Sequence, residues 1–231
     1  MIRRVRLRWP DQRPFDDRDG RPIRLLAASD EQDPALEHEV NRRALGTIDA
    51  VIGCGDLEPH WLAFLADAFR APLVYVRGNH DRGGAWEDRP NVPAALGAGR
   101  TTRLAGLDIA GFEWPGAGRR DNERRSGLAW LHVFSIAWRT LARRLLGRAR
   151  PLLVISHAAP EGAGDSPDAF HVGFRAYRWL MNVLRPPLWL HGHTTTASVP
   201  ALEVDAGATK LVNVTGAVLV ELEPPDGAAE E

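Results

Sequence analysis

Three polar residues with ligand and acid–base chemistry follow one short apolar run near the middle of the chain. The run is Leu-Val-Tyr-Val-Arg, and Gly78 separates it from Asn79, His80 and Asp81. Glycine and asparagine favour turns and aspartate often accompanies them, so a simple turn is one explanation. The other explanation is a metal or phosphate site at the end of a strand. Similar residues elsewhere in the chain distinguish the two.

Four further apolar runs end in an aspartate or a histidine. The residues that follow the five runs are Asp30, Asp56, Asn79 with His80, His157 and His193. One such ending is most simply a turn, but turns do not explain five endings that are all Asp, Asn or His. Carboxylate, amide and imidazole groups together suit Mn, Fe, Zn or Ni. The five endings therefore predict a metal site.

The apolar runs predict strands that alternate with helices. Residues 24–29, 49–54 and 152–156 have the length and composition of buried strands, and stretches with helical periodicity lie between such runs. This alternation predicts an α/β fold with some parallel pairing. Because ligands collect outside the carboxyl ends of strands in such folds, the polar endings should meet there.

The two ends of the chain predict antiparallel strands, and hence mixed sheets. Residues 5–9 alternate as an exposed strand near an N-terminal hairpin, and residues 210–214 and 217–222 should close the chain as a second hairpin. One domain is expected over residues 1–223, followed by a polar tail over residues 224–231.

Two helices carry more specific expectations. Asp33 and Pro34 are typical of an N-cap and first helical position, with Leu36, Val40 and Ala44 on one face of that helix. A second, basic helix is predicted over residues 128–148. Such a helix can lie on a membrane surface or contact nucleic acid, or it can pack on the sheet with a solvated basic face.

Composition narrows the classes of protein and partner. The chain has 231 residues, a net charge of −1 and one cysteine. The charge provides no global field that would favour nucleic acid or an anionic membrane. A lone cysteine excludes an intramolecular disulfide and a cysteine-based zinc site. The N-terminus lacks a signal-peptide core and no apolar run approaches the ~20 residues of a membrane span, so a cytoplasmic location is expected.

Five short motifs resemble those of the calcineurin-like metallophosphoesterases. They are S-D-E-Q, G-D-L-E, G-N-H-D, S-H-A-A and H-G-H-T-T, in that order, within residues 25–222. The resemblance implies two mixed β-sheets packed face to face and flanked by helices, with two metals at strand ends. It also implies hydrolysis of a phosphate ester, diester or pyrophosphate, and one or two divalent ions, Mn²⁺ before Fe, Zn, Ni or Mg.

The resemblance assigns metal ligands to the polar endings. Asp56 would bridge two metals, and Asp30 would belong to the first site. Asn79, His157 and His193 would complete the second site. Two metals roughly 3.5–4 Å apart would hold the attacking and leaving oxygens and lower the pKa of a bound water.

The resemblance also implies residues that would act on the substrate. His80 would contact phosphate or donate a proton to the leaving group, and Asp81 would orient His80. His171 is a candidate for substrate contact, with loop ordering as its alternative. Arg77 could meet a phosphate or form an ion pair elsewhere. The expected substrate is a phosphorylated small molecule or a phosphodiester.

The sequence departs from the family pattern at two positions. Gln32 stands where the first motif has histidine, and Thr195 replaces the last histidine of Gly-His-x-His. Both missing histidines would belong to the first metal site. Three interpretations stay open. The first site holds a metal through oxygen ligands from Asp30, Asp56 and Gln32 or Asp33; only the second site binds metal; or the protein binds a phosphate compound or a partner without catalysis.

Overall fold

The structure is a computed structural model with two mixed β-sheets and four α-helices in its described part. It describes residues 2–81, 92–115, 122–166, 168, 170–195 and 201–226, with side chains of the 122–145 helix from residue 126 onward. This arrangement confirms the α/β expectation of two mixed sheets flanked by helices. The division into a domain over residues 1–223 and a tail stays a prediction, and residues 227–231 of that tail lie outside the described residues.

The first sheet has five strands, in the order β1-β11-β2-β3-β4. Their bounds are β1 Arg3–Arg8, β2 Ile23–Ser29, β3 Ala50–Cys54, β4 Leu73–Val76 and β11 Gly216–Glu223. Strands β2, β3 and β4 run parallel, so their carboxyl ends share one edge. β11 lies antiparallel to β2 and parallel to β1.

The second sheet has six strands, in the order β5-β6-β7-β8-β10-β9. Their bounds are β5 Arg100–Leu104, β6 Leu107–Phe112, β7 Leu152–Ser156, β8 Leu188–His191, β9 Glu203–Ala206 and β10 Thr209–Asn213. Strands β6, β7, β8 and β10 run parallel, and the two outer strands are antiparallel to their neighbours.

The helices cover the outer faces of the sheets. They are α1 Glu39–Leu45, α2 Pro59–Phe69, α3 Asn122–Leu145 and α4 Arg175–Leu184, with 3-10 turns at Arg13–Phe15 and Pro34–Glu37. The core between the sheets joins residues such as Leu25 and Ile52 to Ile155 and Leu190. Two further cores lie under α1 and α2, and under α3 and α4. Central strands are therefore buried on both faces, which explains their continuous apolar sequences.

The two predicted hairpins are wrong. β10 is paired on one side with β8 and on the other with β9, whereas β11 lies between β1 and β2 in the other sheet. Each strand has both edges occupied within its own sheet, so β10 and β11 cannot pair with each other. At the N-terminus, β1 pairs in parallel with β11 rather than forming a hairpin with β2.

The first predicted helix is shorter and oriented differently. Asp33 caps a 3-10 turn, where its Oδ1 accepts a hydrogen bond of 2.9 Å from the Ala35 amide. α1 begins only at Glu39 and ends before Gly46, which has a φ of 70°. Of the predicted face, Val40 and Ala44 are exposed and only Leu36 is buried. Leu45 supplies the buried contact of α1 instead.

The basic helix begins earlier than expected, and only one of its two apolar stripes packs on the core. The helix was expected from residue 128, and residues 122–127 are helical as well. Small and β-branched residues face the core, namely Ala129, Val133, Ile136 and Ala137. The larger apolar residues at helical spacing, including Leu131 and Trp138, remain exposed. In the described part of the chain, the helices are too short or too polar to cross a membrane.

Candidate metal centre

The five polar endings meet where the two sheets present their carboxyl ends. In the first sheet, Asp30 follows β2, Asp56 lies two residues beyond β3 and Asn79 lies three beyond β4. In the second sheet, His157 follows β7 directly and His193 lies two residues beyond β8. The site therefore lies across the junction of the two sheets, and each of them contributes side chains.

Three of these residues have unusual backbone conformations that direct their side chains toward the site. Asp30, Asp56 and His193 have φ values of 60°, 54° and 67°. This left-handed region is uncommon for residues with a side chain, and it often occurs where function requires a particular orientation. Gly55, with a φ of 90°, precedes Asp56, and a Cβ there would lie 2.7 Å from His157 Nδ1. Glycine thus allows β3 to approach the histidine.

Three ligand atoms surround the Nε2 atom of His157. Nε2 lies 3.1 Å from Asp56 Oδ2, 2.8 Å from Asn79 Oδ1 and 3.1 Å from His193 Nδ1. His157 is fully buried and Asp56 nearly so. The ligand atoms of Asp56, His157 and His193 all lie within 4.8 Å of one another.

Backbone carbonyls determine which imidazole nitrogens carry lone pairs. His157 Nδ1 lies 2.9 Å from the Cys54 carbonyl oxygen, and His193 Nε2 lies 2.9 Å from that of Phe170. A carbonyl can only accept, so each of these nitrogens donates a proton. In the neutral rings, His157 Nε2 and His193 Nδ1 are therefore lone-pair donors.

The convergence of lone pairs fits a divalent cation. Asp56 Oδ2, Asn79 Oδ1, His157 Nε2 and His193 Nδ1 are four electron-pair donors directed into one small space. Without a proton or a metal ion between them, these atoms would repel one another. Mixed oxygen and imidazole ligands suit Mn, Fe, Zn or Ni, and the carbonyl partners orient the histidines as is common at metal sites.

The local charges favour an ionised Asp56 and a neutral His193. Burial would raise the pKa of Asp56, but the hydrogen bond and charge of His157 hold it below its ordinary value. Burial would lower the pKa of His157, whereas the Asp56 hydrogen bond and the charges of Asp30 and Asp56 raise it. Burial and the nearby His157 lower the pKa of His193 to about 4.

Asp30 lies beside this cluster, and its carboxylate accepts hydrogen bonds from neighbouring loops. Its Oδ2 accepts a 2.9 Å hydrogen bond from the His193 amide and one of 3.4 Å from the Thr215 hydroxyl. Among the described residues, the groups of three or more potential His, Cys, Asp or Glu ligands do not include Asp30. Gln32 and Thr195 are exposed. Their ligand roles, like that of Asp30, stay predictions.

His80 and Asp81 occupy different environments. His80 is exposed, and its amide donates to Asp56 Oδ1 at 2.8 Å. Asp81 is buried, and its Oδ2 accepts from the amides of Asp56 and Gly78 at 2.8 and 2.7 Å. Burial raises the pKa of Asp81 to about 6. The Asp81 carboxylate thus connects the loops that follow β3 and β4, a role that the sequence analysis did not assign. Neither of these two hydrogen bonds involves the His80 ring.

Trp114 is a site residue that the sequence analysis missed. It follows β6 by two residues and its ring lies 5.8 Å from His157 and 4.6 Å from His193, measured between centroids. Its amide also donates to the Arg77 carbonyl oxygen. Like the ligands, Trp114 comes just after an apolar strand, so its position was a usable signal. An indole has no metal-ligand chemistry, which is why it was overlooked.

Other predicted residues take separate places. The His171 ring lies 5.4 Å from that of His193, and its Nδ1 lies 2.9 Å from both carboxylate oxygens of Asp168. His171 therefore borders the metal-ligand cluster. The positive charge of Arg77 acts on Tyr75 and Glu113. Both interpretations of Arg77 stay predictions.

Comparisons with known proteins agree with this geometry. A calcineurin-like phosphoesterase family model matches residues 30–196. TT1561 from Thermus thermophilus has 18% identity and a TM-score of 0.52, with 84% of this chain and 90% of that chain covered. Another solved structure has 14% identity and a TM-score of 0.56, covering 84% and 91%. These two likenesses concern the fold alone, and comparison with curated proteins gives no match. The matched family model covers most of the chain, and the chain belongs to the calcineurin-like phosphoesterase family.

Proposed function

We propose that this chain is a metal-dependent phosphoesterase that hydrolyses a phosphodiester or phosphomonoester with water as the nucleophile. The observation that carries this proposal is the convergence of four lone-pair donors, with Asp56 Oδ2, Asn79 Oδ1 and His193 Nδ1 all close to His157 Nε2. Family membership supports hydrolysis as the reaction class. A phosphodiester is the favoured substrate because it is a general substrate type for sites of this family.

The chain's own residues would hold the metal and handle the substrate. Asp56, Asn79, His157 and His193 would bind the ion, which supplies Lewis acidity toward a phosphoryl oxygen and lowers the pKa of water. His80 is exposed one residue from Asn79, so it would contact the phosphate and protonate the leaving oxygen. His171, held by Asp168, would contact the substrate from the far side of His193.

The proposed cofactor is Mn²⁺, with one or two ions per chain. The described cluster of Asp56, His157 and His193 supports one ion. A second ion would depend on oxygen ligands such as Asp30 and Gln32, which favour hard cations such as Mn or Mg. The lone, fully buried cysteine supports the proposal of a cytoplasmic location.

Equilibrium dialysis of metal-stripped protein against Mn²⁺, together with hydrolysis of a chromogenic phosphodiester, tests the proposal. His193→Ala should lose bound Mn²⁺ and activity together, because it removes one of four donors. His60→Ala is the matched control, since His60 is exposed and pairs with Glu58 rather than with the site. Unchanged metal binding and hydrolysis in His193→Ala would contradict the proposal.

A non-catalytic phosphate-binding protein is the second candidate. It is favoured by the replacement of two family histidines by Gln32 and Thr195 and by the backbone hydrogen bond that Asp30 accepts. Such a protein would bind Mn²⁺ and inorganic phosphate but would not hydrolyse mono- or diesters. Turnover that is lost with His80→Ala while Mn²⁺ stays bound would exclude this alternative.

A further inference from the structure

Helix α3 exposes a stripe of large apolar side chains. We define the α3 stripe as the residues that recur three or four positions apart on its outer side, which are Leu131, Phe134, Trp138, Leu141 and Leu145. Trp138 is 76% exposed and Leu145 90% exposed. Single exposed apolar residues are ordinary, but a continuous stripe of this kind marks an interaction surface.

The stripe is held in place by aromatic contacts at its N-terminal half. The Phe134 ring lies 5.4 Å from Trp130 and 5.1 Å from Trp179 of α4, between centroids. Trp130 and Trp179 are in turn 5.7 Å apart. The α3 stripe therefore projects from a packed pair of helices rather than from an isolated one.

Positive charge accompanies the stripe. Residues 126–150 contain five arginines and no carboxylate, in a chain whose net charge is −1. Arg139, Arg143, Arg144 and Arg148 are exposed. An apolar stripe bordered by arginines is the composition of helices that lie in the plane of an anionic membrane. Residues 126–150 of a second copy would offer no carboxylate to balance these charges.

A basic cavity lies at the C-terminal end of α3. Its volume is about 610 Å³, and its lining includes five cationic side chains, from Arg8, Arg144, Arg150, Arg185 and Lys210, and a single carboxylate, from Asp205. Lys210 pairs with Asp205 at 2.9 Å, and Arg8 pairs with Asp226.

Three of the cavity's arginines have no acidic partner in the described part of the chain. Among the described residues, Arg144, Arg150 and Arg185 form no salt bridge, and Arg150 Nη1 is buried without a hydrogen-bond partner. Arg144 donates to the Leu184 carbonyl oxygen at 2.6 Å, which joins the end of α3 to the end of α4. Guanidinium groups so placed suit a phosphate, which they bind with two parallel hydrogen bonds.

The cavity is separate from the metal centre. Leu152 begins β7 and Lys210 is the second residue of β10, so the cavity lies at the amino ends of these second-sheet strands. His157 and His193 lie beyond the carboxyl ends of the same sheet. Arg144 is the sequence neighbour of Leu145, so the basic cavity and the α3 stripe meet at one end of the helix.

We propose that α3 rests on an anionic phospholipid surface. The α3 stripe enters the boundary between head groups and acyl chains, the flanking arginines face the head groups, and the basic cavity holds a lipid phosphate. The protein is thereby placed on a membrane surface without spanning it. This inference does not depend on the metal centre.

Vesicle co-sedimentation of the full chain tests the surface. Binding is expected to phosphatidylcholine vesicles that contain phosphatidylglycerol and not to phosphatidylcholine alone, and it should weaken with salt. Trp138→Ser with Leu145→Ser should abolish it. Val40→Ser is the matched control, because Val40 is an exposed apolar residue on α1. Binding that survives the double substitution would overturn the proposal.

A second measurement starts from the wild-type protein and uses a conservative variant as its comparison. Lipids brominated in their acyl chains should quench part of the protein's tryptophan fluorescence, and Trp138→Phe should remove most of that quenching. Bound protein without quenching at Trp138 would overturn insertion of the α3 stripe. A dimer in sedimentation velocity that disappears in Trp138→Ser would show that a second copy covers the stripe, and would also overturn the proposal.

Substitution of arginines in the basic cavity tests whether it binds a lipid phosphate. Arg150→Gln and Arg185→Gln should each weaken binding to phosphatidylglycerol vesicles by about fivefold. Arg43→Gln, an exposed arginine of α1, should change it little. Equal losses in all three variants would mean that net charge alone matters, and this would overturn the assignment of a phosphate to the cavity.

Discussion

At the scale of single residues, the metal centre depends on which atom of each side chain is already engaged. Cys54 and Phe170 contribute only carbonyl oxygens, yet they decide which nitrogen of His157 and His193 faces the centre. The Asp56 carboxylate divides its oxygens between the His80 amide and His157. Backbone atoms near the site are therefore as important for its chemistry as the ligands.

Gly55→Ala should damage the metal centre through the backbone. The new Cβ would meet His157 Nδ1 and the Gly78 amide at 2.7 Å while occupying a φ of 90°. We expect a loss of about 2 kcal/mol in the free energy of unfolding and weaker Mn²⁺ binding. Urea denaturation and equilibrium dialysis measure the two effects.

Gly20→Ala is the control for strain without a clash. Gly20 has a φ of 71°, and a Cβ there would meet nothing within 4 Å. It should cost about 1 kcal/mol and leave Mn²⁺ binding unchanged. Equal Mn²⁺ affinity in both variants would show that His157 does not need the space at Gly55.

At the scale of elements, turns and strand pairs determine what each candidate residue can do. Asp33 had two interpretations, a cap or a ligand of an altered metal site. Its Oδ1 is used in the 3-10 turn, where it accepts from the Ala35 amide. Local structure thus accounts for Asp33 without a metal.

Asp33→Ala should lower stability without changing metal stoichiometry. Removal of an N-cap of this kind costs about 1 kcal/mol. Thermal or urea unfolding would measure that loss, and dialysis against Mn²⁺ would count bound ions. Asp33→Ser should recover most of the stability, because serine also caps. Fewer ions bound by both variants would instead identify Asp33 as a ligand.

Glu221 of β11 links both neighbouring strands. It pairs with Arg6 of β1 and Arg24 of β2, at 3.0 and 3.1 Å. Burial would raise the pKa of Glu221, but the hydrogen bond from Arg6 and the charges of Arg24 and Arg6 lower it. The folded protein therefore favours the ionised carboxylate more than the unfolded chain does.

Glu221→Gln should destabilise the protein at neutral pH by about 1 kcal/mol. Because the folded pKa is lowered, this stabilisation is present above the unfolded pKa of about 4.3 and is lost as pH falls through the folded pKa. The difference between wild type and variant in urea unfolding should accordingly shrink in acid. A difference that stays constant with pH would contradict this account.

At the scale of the whole molecule, the candidate metal ligands come from both sheets. Asp56 and Asn79 follow strands of the first sheet, and His157 and His193 follow strands of the second. A cation bound by all four would hold the sheets together in the folded state only, since the unfolded chain cannot assemble the ligands.

Mn²⁺ should therefore stabilise the fold as a whole. At a concentration about 100-fold above the dissociation constant, the gain is about 2.7 kcal/mol. Differential scanning calorimetry with and without Mn²⁺ would show the shift in Tm, which should vanish in His193→Ala and persist in His60→Ala. The same Tm shift in His193→Ala would contradict a site that connects the sheets.

Much of the site could be predicted from sequence because its residues are local features of strand ends. A buried strand is a short apolar run, and an aspartate, asparagine or histidine directly after it is visible without any tertiary information. In this way Asp30, Asp56, Asn79, His80, His157 and His193 were found as one group. The structure brings the side chains of Asp56, Asn79, His157 and His193 together. Trp114 occupies the same kind of position but carries no ligand atom.

The tertiary structure decided which strands pair and which helix faces are buried, because both depend on contacts between distant segments. β10 and β11 have similar apolar sequences, but β10 lies between β8 and β9 in the second sheet, whereas β11 lies between β1 and β2 in the first. Helix α3 has two apolar stripes, and the smaller side chains of Ala129 and Val133 allow the closer approach to the second sheet. By itself, the sequence determined the α/β class and the chemistry at the strand ends, because periodicity and polar endings are local. The buried partners of each residue were decided by the fold, because they depend on which surfaces the rest of the chain leaves uncovered.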